Sequence, residues 1–132
     1  FITNRSSGKM GYAIAKAAKR RGGRVILVSG PIRLSVPKEG ITLIRVKTAL
    51  EMEREIMEHF PYSDIVIMAA AVADYRTDTP FPHKLKKSDR TFQLELVRNP
   101  DILQTLGRKK GRQILVGFAA ETENFEANAL QK

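Results

Sequence analysis

The sequence predicts a doubly wound α/β domain, a mostly parallel sheet with helices on both faces. Three observations predict it. Short, largely apolar runs recur at residues 25–28, 64–68 and 114–118, the mark of strands covered on both faces. Segments of helical periodicity lie between them, several opened by capping residues. The resulting order is strand, helix, strand, strand, helix, strand, strand, helix, strand, helix, the alternation that builds such sheets. With 132 residues, 42% hydrophobic and 28% charged, residues 1–132 have the size and balance of one globular domain.

Each element has its own local reason. After Phe1, Ile2, Thr3 and Asn4, the stretch Arg5-Ser6-Ser7-Gly8-Lys9-Met10-Gly11 is a polar turn, and the alanine-rich run behind it reads as a helix to Arg21, ended by Gly22-Gly23. Residues 25–28 form a strand stopped by Ser29-Gly30-Pro31, and residues 41–46 repeat the pattern more weakly. Thr48 with Glu51 three residues later is a capping box, and Leu50, Ile56, Met57 and Phe60 mark a helix to about His59. The strand at 64–68 runs into the small-residue segment Ala69-Ala70-Ala71-Val72-Ala73-Asp74-Tyr75. Residues 76–90, with Pro80, Pro82 and three lysines, read as a loop. Phe92, Leu94 and Leu96 alternate with Gln93 and Glu95, which predicts a strand over 91–97 with one solvated face. Asn99-Pro100 offers an N-cap and a first-turn proline for a helix to about Arg108. Residues 114–118 are a further strand, and 123–132 open a last helix. The sum is a Rossmann-like sheet.

Composition excludes several classes. There is no cysteine, hence no disulfide scaffold, thiol nucleophile or thiolate-bound metal, in keeping with a reducing cytoplasm. Two histidines, His59 and His83, leave little for metal binding. No apolar run approaches the roughly 20 residues of a membrane span, and no signal peptide opens the chain, so a cytoplasmic protein without membrane contact is expected. The first residue is Phe1 rather than methionine, which reads as a piece of a longer polypeptide. The net charge of +9 is confined to the N-terminal third: residues 1–38 hold nine bases and no acid, and the other fourteen bases balance fourteen acids. Such a field attracts anions, although Lys16, Lys19, Arg20 and Arg21 also suit the C-terminal end of a helix with no ligand at all.

In a doubly wound sheet, ligands sit beyond the C-terminal strand ends, here residues 29–31, 69–74, 99–103 and 118–122. Ser6, Ser7, Gly8 and Lys9 at the mouth of a helix suit a phosphate or carboxylate, or serve only as a cap. Asp74 at a strand end calls for a metal ion, a ligand hydroxyl or a base, or else caps the loop backbone. Lys84-Leu85-Lys86-Lys87 suits a lid over a polyphosphate, or is a solvated lysine run. Phe118 is placed to face a nucleobase or to join the core.

Together, Phe1-Ile2-Thr3-Asn4-Arg5-Ser6-Ser7-Gly8-Lys9-Met10-Gly11, Ala70-Ala71-Val72-Ala73-Asp74-Tyr75-Arg76, Lys84-Leu85-Lys86-Lys87, Asn99-Pro100-Asp101-Ile102-Leu103 and Val116-Gly117-Phe118-Ala119-Ala120-Glu121-Thr122 closely resemble the phosphopantothenate-cysteine ligase family. In most bacteria this ligase is the C-terminal half of a bifunctional coenzyme A biosynthesis protein whose other half is a flavin-dependent decarboxylase. The resemblance runs the full chain. It implies that phosphopantothenate attacks CTP to give an acyl-cytidylate and pyrophosphate, and that cysteine then displaces CMP. Asn4 would hold the activated acyl group, and Lys84 of the loop would act on the triphosphate and the intermediate. Asp74 would bind the nucleotide and meet Mg2+. Met68, Ala69 and Ala70, then Pro100, Asp101, Ile102 and Leu103, then Phe118 and Lys132 would line the nucleotide site. The resemblance also implies a homodimer through this domain and FMN only in the attached decarboxylase. The family's first strand and glycine-rich turn precede the position of Phe1, and part of the sheet follows Lys132, so the domain reads as truncated at both ends.

Two other classes compete. An NAD(P)-dependent oxidoreductase shares the sheet, but the chain lacks G-x-G-x-x-G, and no acid closes the strand at Val28-Ser29-Gly30 to bind a ribose. A nucleic-acid module would use the basic third, but aromatics are 7% and do not interleave with the bases, so no nucleic-acid partner is expected.

Overall fold

The computed structural model describes residues 6–36, 40–79 and 93–118. Their elements run α1 (Lys9–Arg20), β1 (Val25–Ser29), β2 (Ile41–Arg45), α2 (Ala49–His59), a 3-10 turn (Phe60–Tyr62), β3 (Ile65–Met68), β4 (Tyr75–Thr77), β5 (Leu96–Arg98), α3 (Ile102–Lys109) and β6 (Ile114–Gly117). The sequence-predicted helix at 123–132 lies outside the described residues.

Helix α1 starts and stops on glycine. Gly8 is its N-cap in the left-handed region, φ 68°. At the other end Gly22, φ 85°, turns the chain so that the Gly23 N–H returns to the Ala18 carbonyl at 3.0 Å. Tyr12 and Ala15 form its buried stripe, and the Tyr12 hydroxyl lies 3.2 Å from Ser29 Oγ, tying the helix to the C-terminal end of β1. Lys16, Lys19, Arg20 and Arg21 are exposed, and none forms an ion pair among the described residues.

Strands β1 and β2 pair in parallel, Val25 with Ile41 through Ser29 with Arg45, and β3 pairs in parallel with β6, Ile65 with Ile114 through Met68 with Gly117. Alternation then divides the layers. Val28, Ile44, Val66, Met68 and Leu115 point to the side where Met52 of α2 and Ile102 and Leu106 of α3 close the core, Leu106 fully so. Ser29 points the other way, to α1. Helices therefore lie on both faces, as predicted, and the two parallel pairs share one core.

The expectation of strands buried on both faces is corrected on the α1 side of β3 and β6. Ile65 and Ile114, directly paired, are 57% and 58% exposed, because no helix among the described residues covers them. Leu50, expected as a core marker of α2, is 45% exposed, and Met52 takes the inward position. The Thr48 cap forms as predicted, Thr48 Oγ1 accepting from the Glu51 N–H at 3.1 Å, but the Glu51 carboxylate returns to the Lys47 N–H at 2.7 Å, one residue earlier than a capping box requires.

Two further expectations change. Residues 75–77, expected as the end of the small-residue segment and the first two residues of a loop, form β4, antiparallel to β5 with Tyr75 opposite Arg98. The strand expected over 91–97 is, among the described residues, only Leu96–Arg98. Three residues are too few for periodicity to register, and pairing with a segment twenty residues away decides both boundaries.

Candidate functional site

The described site segments converge at the C-terminal ends of β3 and β6. The first is the turn before α1. Ser6 Oγ accepts from the Gly8 N–H at 3.3 Å and Ser7 Oγ from the Lys9 N–H at 3.4 Å, so the serines do cap the turn, while each hydroxyl keeps its own hydrogen for an anion. Lys9 is exposed beside them, and the first turn of α1 carries no acid. A shallow cavity of about 210 Å³ between Lys9, Tyr12, Lys16, Leu34 and Ser35 adjoins this turn. Arg45 shapes its far wall by donating to the Ile32 and Leu34 carbonyls at 2.9 and 3.1 Å.

Small residues bring the turn against β3. A Cβ placed on Gly11 would lie 3.6 Å from Ala69 Cβ, which sets the opening of α1 beside the small-residue segment that follows Met68. Met68 is in register with Gly117, and a Cβ on Gly117 would come 2.5 Å from Leu103 Cδ2, so the end of β6 touches the first turn of α3. Phe118, the next residue, is 53% exposed, free to face a ligand and not part of the core. Ala70 and Asp74 are exposed as well.

The N-cap of α3 is corrected. Asp101 caps the helix, its Oδ1 accepting from the Gln104 N–H at 2.9 Å. Asn99, expected in that role, instead donates from Nδ2 to the Ala73 carbonyl at 2.7 Å and from its backbone N–H to the Asp74 carbonyl at 2.8 Å, while its Oδ1 accepts from Arg76 Nη1 at 3.4 Å. Sequence reasoning missed Asn99 and Arg76 in this capacity, since both contacts join segments more than twenty residues apart.

The structure thus brings together Ser6, Ser7, Gly8 and Lys9, then Met68, Ala69, Ala70 and Asp74, then Pro100, Asp101, Ile102 and Leu103, and Phe118. Ile102 is buried and anchors α3, while Asp101 is exposed with its carboxylate engaged in the cap. Asn4, Lys84 and Lys132 lie outside the described residues, as does the rest of the Lys84-Leu85-Lys86-Lys87 tract. Among the described residues no group of three His, Asp or Glu side chains gathers as a metal site, and no helix is long and apolar enough to cross a membrane. A second cavity, about 290 Å³, is lined by Lys19, Arg24 and Thr42 at the opposite, N-terminal end of β1 and β2.

Comparison with known proteins gives a consistent result. Residues 1–132 match the family model described as the DNA/pantothenate metabolism flavoprotein C-terminal domain. The coenzyme A biosynthesis bifunctional protein CoaBC of Bacillus subtilis (strain 168) is 52% identical over 132 residues, covering 100% of this chain and 32% of that protein. The protein of the same name in Escherichia coli (strain K12) is 47% identical over 136 residues, covering 100% and 33%. The chain therefore spans about a third of the length of these curated relatives. A crystal structure of the C-terminal domain of CoaBC superposes with a TM-score of 0.85 at 46% identity, over 100% of this chain and 61% of that one. The DNA/pantothenate metabolism flavoprotein from Streptococcus pneumoniae superposes with a TM-score of 0.81 at 19% identity, over 98% and 67%, a likeness of fold alone.

Proposed function

We propose, for a chain that belongs to the DNA/pantothenate metabolism flavoprotein C-terminal domain family, that it carries the ligase half of a bifunctional coenzyme A biosynthesis enzyme. The reaction is CTP-dependent joining of cysteine to phosphopantothenate. The observation that carries this reading is the convergence of four segments, 6–9, 68–74, 100–103 and 118, at one end of β3 and β6, with relatives of 52% and 47% identity bearing that biosynthetic name.

In the first step a carboxylate oxygen of phosphopantothenate attacks the α-phosphorus of CTP, the bond to the β-phosphate breaks, and pyrophosphate leaves. In the second the cysteine amine attacks the acyl carbon, loses a proton, and CMP leaves. The exposed ring of Phe118 offers a face to the base. The Ser6 and Ser7 hydroxyls and Lys9 suit phosphate oxygens. Lys84 neutralises charge that develops on the triphosphate, and the Asn4 amide holds the acyl group, both on the strength of the family resemblance. The chemistry that Mg2+ would supply when bound is positive charge against the pyrophosphate leaving group. Asp74 suits that ion, since its exposed carboxylate forms no ion pair among the described residues, and magnesium takes one or two carboxylates with water and phosphate oxygens as its other ligands. The whole protein is read as a cytoplasmic homodimer through this domain, with FMN held only by a decarboxylase in the same chain.

Calorimetry on the full-length parent protein with CTP, ATP and NADPH in the presence of magnesium, followed by an assay for CMP with phosphopantothenate and cysteine, tests this. Preferential CTP binding with cysteine-dependent CMP release supports the ligase. NADPH binding with no response to CTP would transfer the reading to an oxidoreductase.

A further inference from the structure

We infer that Asn99 is a positioning residue of the nucleotide site, anchored by Arg76, and that it sets the spacing between the segment carrying Asp74 and the first turn of α3. The inference rests on the proposed nucleotide reading of that site. A β-ladder between β4 and β5 needs only backbone bonds, of which Asn99 supplies one, its N–H donating to the Asp74 carbonyl at 2.8 Å. The side chain goes further. Nδ2 donates to the Ala73 carbonyl at 2.7 Å, and Oδ1 accepts from Arg76 Nη1, which also donates to the Arg98 carbonyl.

These partners fix which way the amide faces: a donor is required toward Ala73 and an acceptor toward the guanidinium, so neither aspartate nor an apolar residue meets both demands. Asn99 is half-buried, and the cap role lies with Asp101, so the Asn99 amide is available to this clasp. Pro100 follows directly, and its ring fixes φ, which leaves little slack between the clasp and Asp101 at the head of α3. On the far side α3 meets β6 through apolar contacts alone, Leu103 against Gly117 and Ile102 and Leu106 in the core that Leu115 joins. The clasp is accordingly the polar tie that registers the two walls, residues 73–74 and 100–103, and a nucleotide bridging both walls senses their separation. Phosphopantothenate and cysteine, which need not bridge them, do not.

The test compares the full-length wild type with Asn99→Asp, Asn99→Ala and Arg76→Lys in steady-state kinetics with each substrate varied in turn, alongside thermal unfolding. Asn99→Asp keeps an acceptor for Arg76 but sets an oxygen against the Ala73 carbonyl. We expect the KM for CTP to rise about tenfold in Asn99→Asp and Asn99→Ala, the size of one well-made hydrogen bond. The KM values for phosphopantothenate and cysteine should hold steady, and Arg76→Lys, which keeps a donor, should recover most of the affinity. A variant that melts earlier yet keeps the wild-type KM for CTP shows a merely structural role and overturns the inference. A uniform rise in all three KM values overturns it too. If the Asn99 variants do not fold, Arg76→Met, which removes the donor and so cuts the anchor alone, is held to the same expectation. A wild type that neither binds nor turns over CTP defeats the nucleotide reading and the inference together, whereas unaltered variants of an active wild type defeat the inference alone.

Discussion

Two glycines ten sequence positions apart, Gly107 and Gly117, should answer differently to the same added methyl group. Gly107 lies inside α3, where a Cβ would meet nothing within 4 Å, so Gly107→Ala removes a flexible residue from a helix and should stabilise by about 0.5–1 kcal/mol. At Gly117 the new Cβ would sit 2.5 Å from Leu103 Cδ2, where contacting carbons prefer roughly 3.5–4 Å, so Leu103 must move by about 1 Å. Leu103 is half-buried and can swing outward, at a rotamer cost of about 0.5–1.5 kcal/mol. Set against the same gain from a stiffer unfolded chain, the net effect of Gly117→Ala runs from about neutral to a loss of about 1 kcal/mol. Because Leu103 belongs to the proposed nucleotide wall, a displacement of that size should also weaken CTP binding by at least several-fold, within the roughly hundredfold that a 1 Å misplacement can cost. Urea unfolding gives the first number and calorimetry the second. Adding Leu103→Ala to Gly117→Ala removes the colliding methyl, and the double-mutant cycle should show favourable coupling. Equal stability changes at the two glycines, or no coupling between residues 103 and 117, would refute the reasoning.

Other expectations follow from single observations. Leu106, with no exposed surface, should lose about 2–5 kcal/mol as Leu106→Ala, read as a lower urea midpoint with an unchanged slope. Gly8→Ala should destabilise by more than about 1 kcal/mol in thermal unfolding, because φ is 68° and the new Cβ would overlap Ile32 Cδ1. The same change should weaken binding of phosphate-bearing substrates by displacing Ser6 and Ser7. Lys84→Gln in the full-length protein should slow cysteine-dependent CMP release, and an unchanged rate would remove Lys84 from the proposed chemistry.

How much of this was legible in the sequence depends on whether the deciding contact is local. Gly22-Gly23 ends α1 and Thr48 caps α2 because both act through backbone within a few residues. The apolar runs at 25–28, 64–68 and 114–118 place the parallel strands to within a residue. The start of α3 was misread by two residues for a different reason. Asn99 and Asp101 are equally good caps by residue type, and the choice is made by the Ala73 carbonyl, 26 positions away, which draws off the Asn99 amide. Strand β4 escaped detection likewise, since a three-residue strand exists only by virtue of its partner. Leu50 and Met52 differ by 200° of helical rotation, and with apolar residues at both, periodicity alone did not decide which faced the core. The site segments were legible from the rule about strand ends together with the family resemblance, while the clasp that joins two of them was not.

The charge distribution requires a sharper division than the sequence allowed. All of the net positive charge lies in residues 1–38, which suggests a field built for polyanionic substrates. The fold separates that field into two ends of α1. Lys9 stands at the helix N-terminus with Ser6 and Ser7, whereas Lys19 and Arg20 occupy the last turn and Arg21 the C-cap, about 15 Å away at 1.5 Å per residue. That distance exceeds the Debye length of about 8 Å at physiological ionic strength, so the distal cations are largely screened from a phosphate at the site. They also meet the negative end of the helix dipole, a sufficient local reason for their placement. Replacing Lys19, Arg20 and Arg21 together by Gln should consequently leave the equilibrium affinity for CTP near wild type, with at most a slower association rate at low salt. Lys9→Gln should weaken affinity itself. A large loss of affinity in the triple variant at physiological salt, with Lys9→Gln silent, would place the anion site at the other end of the sheet, beside the cavity lined by Lys19 and Arg24.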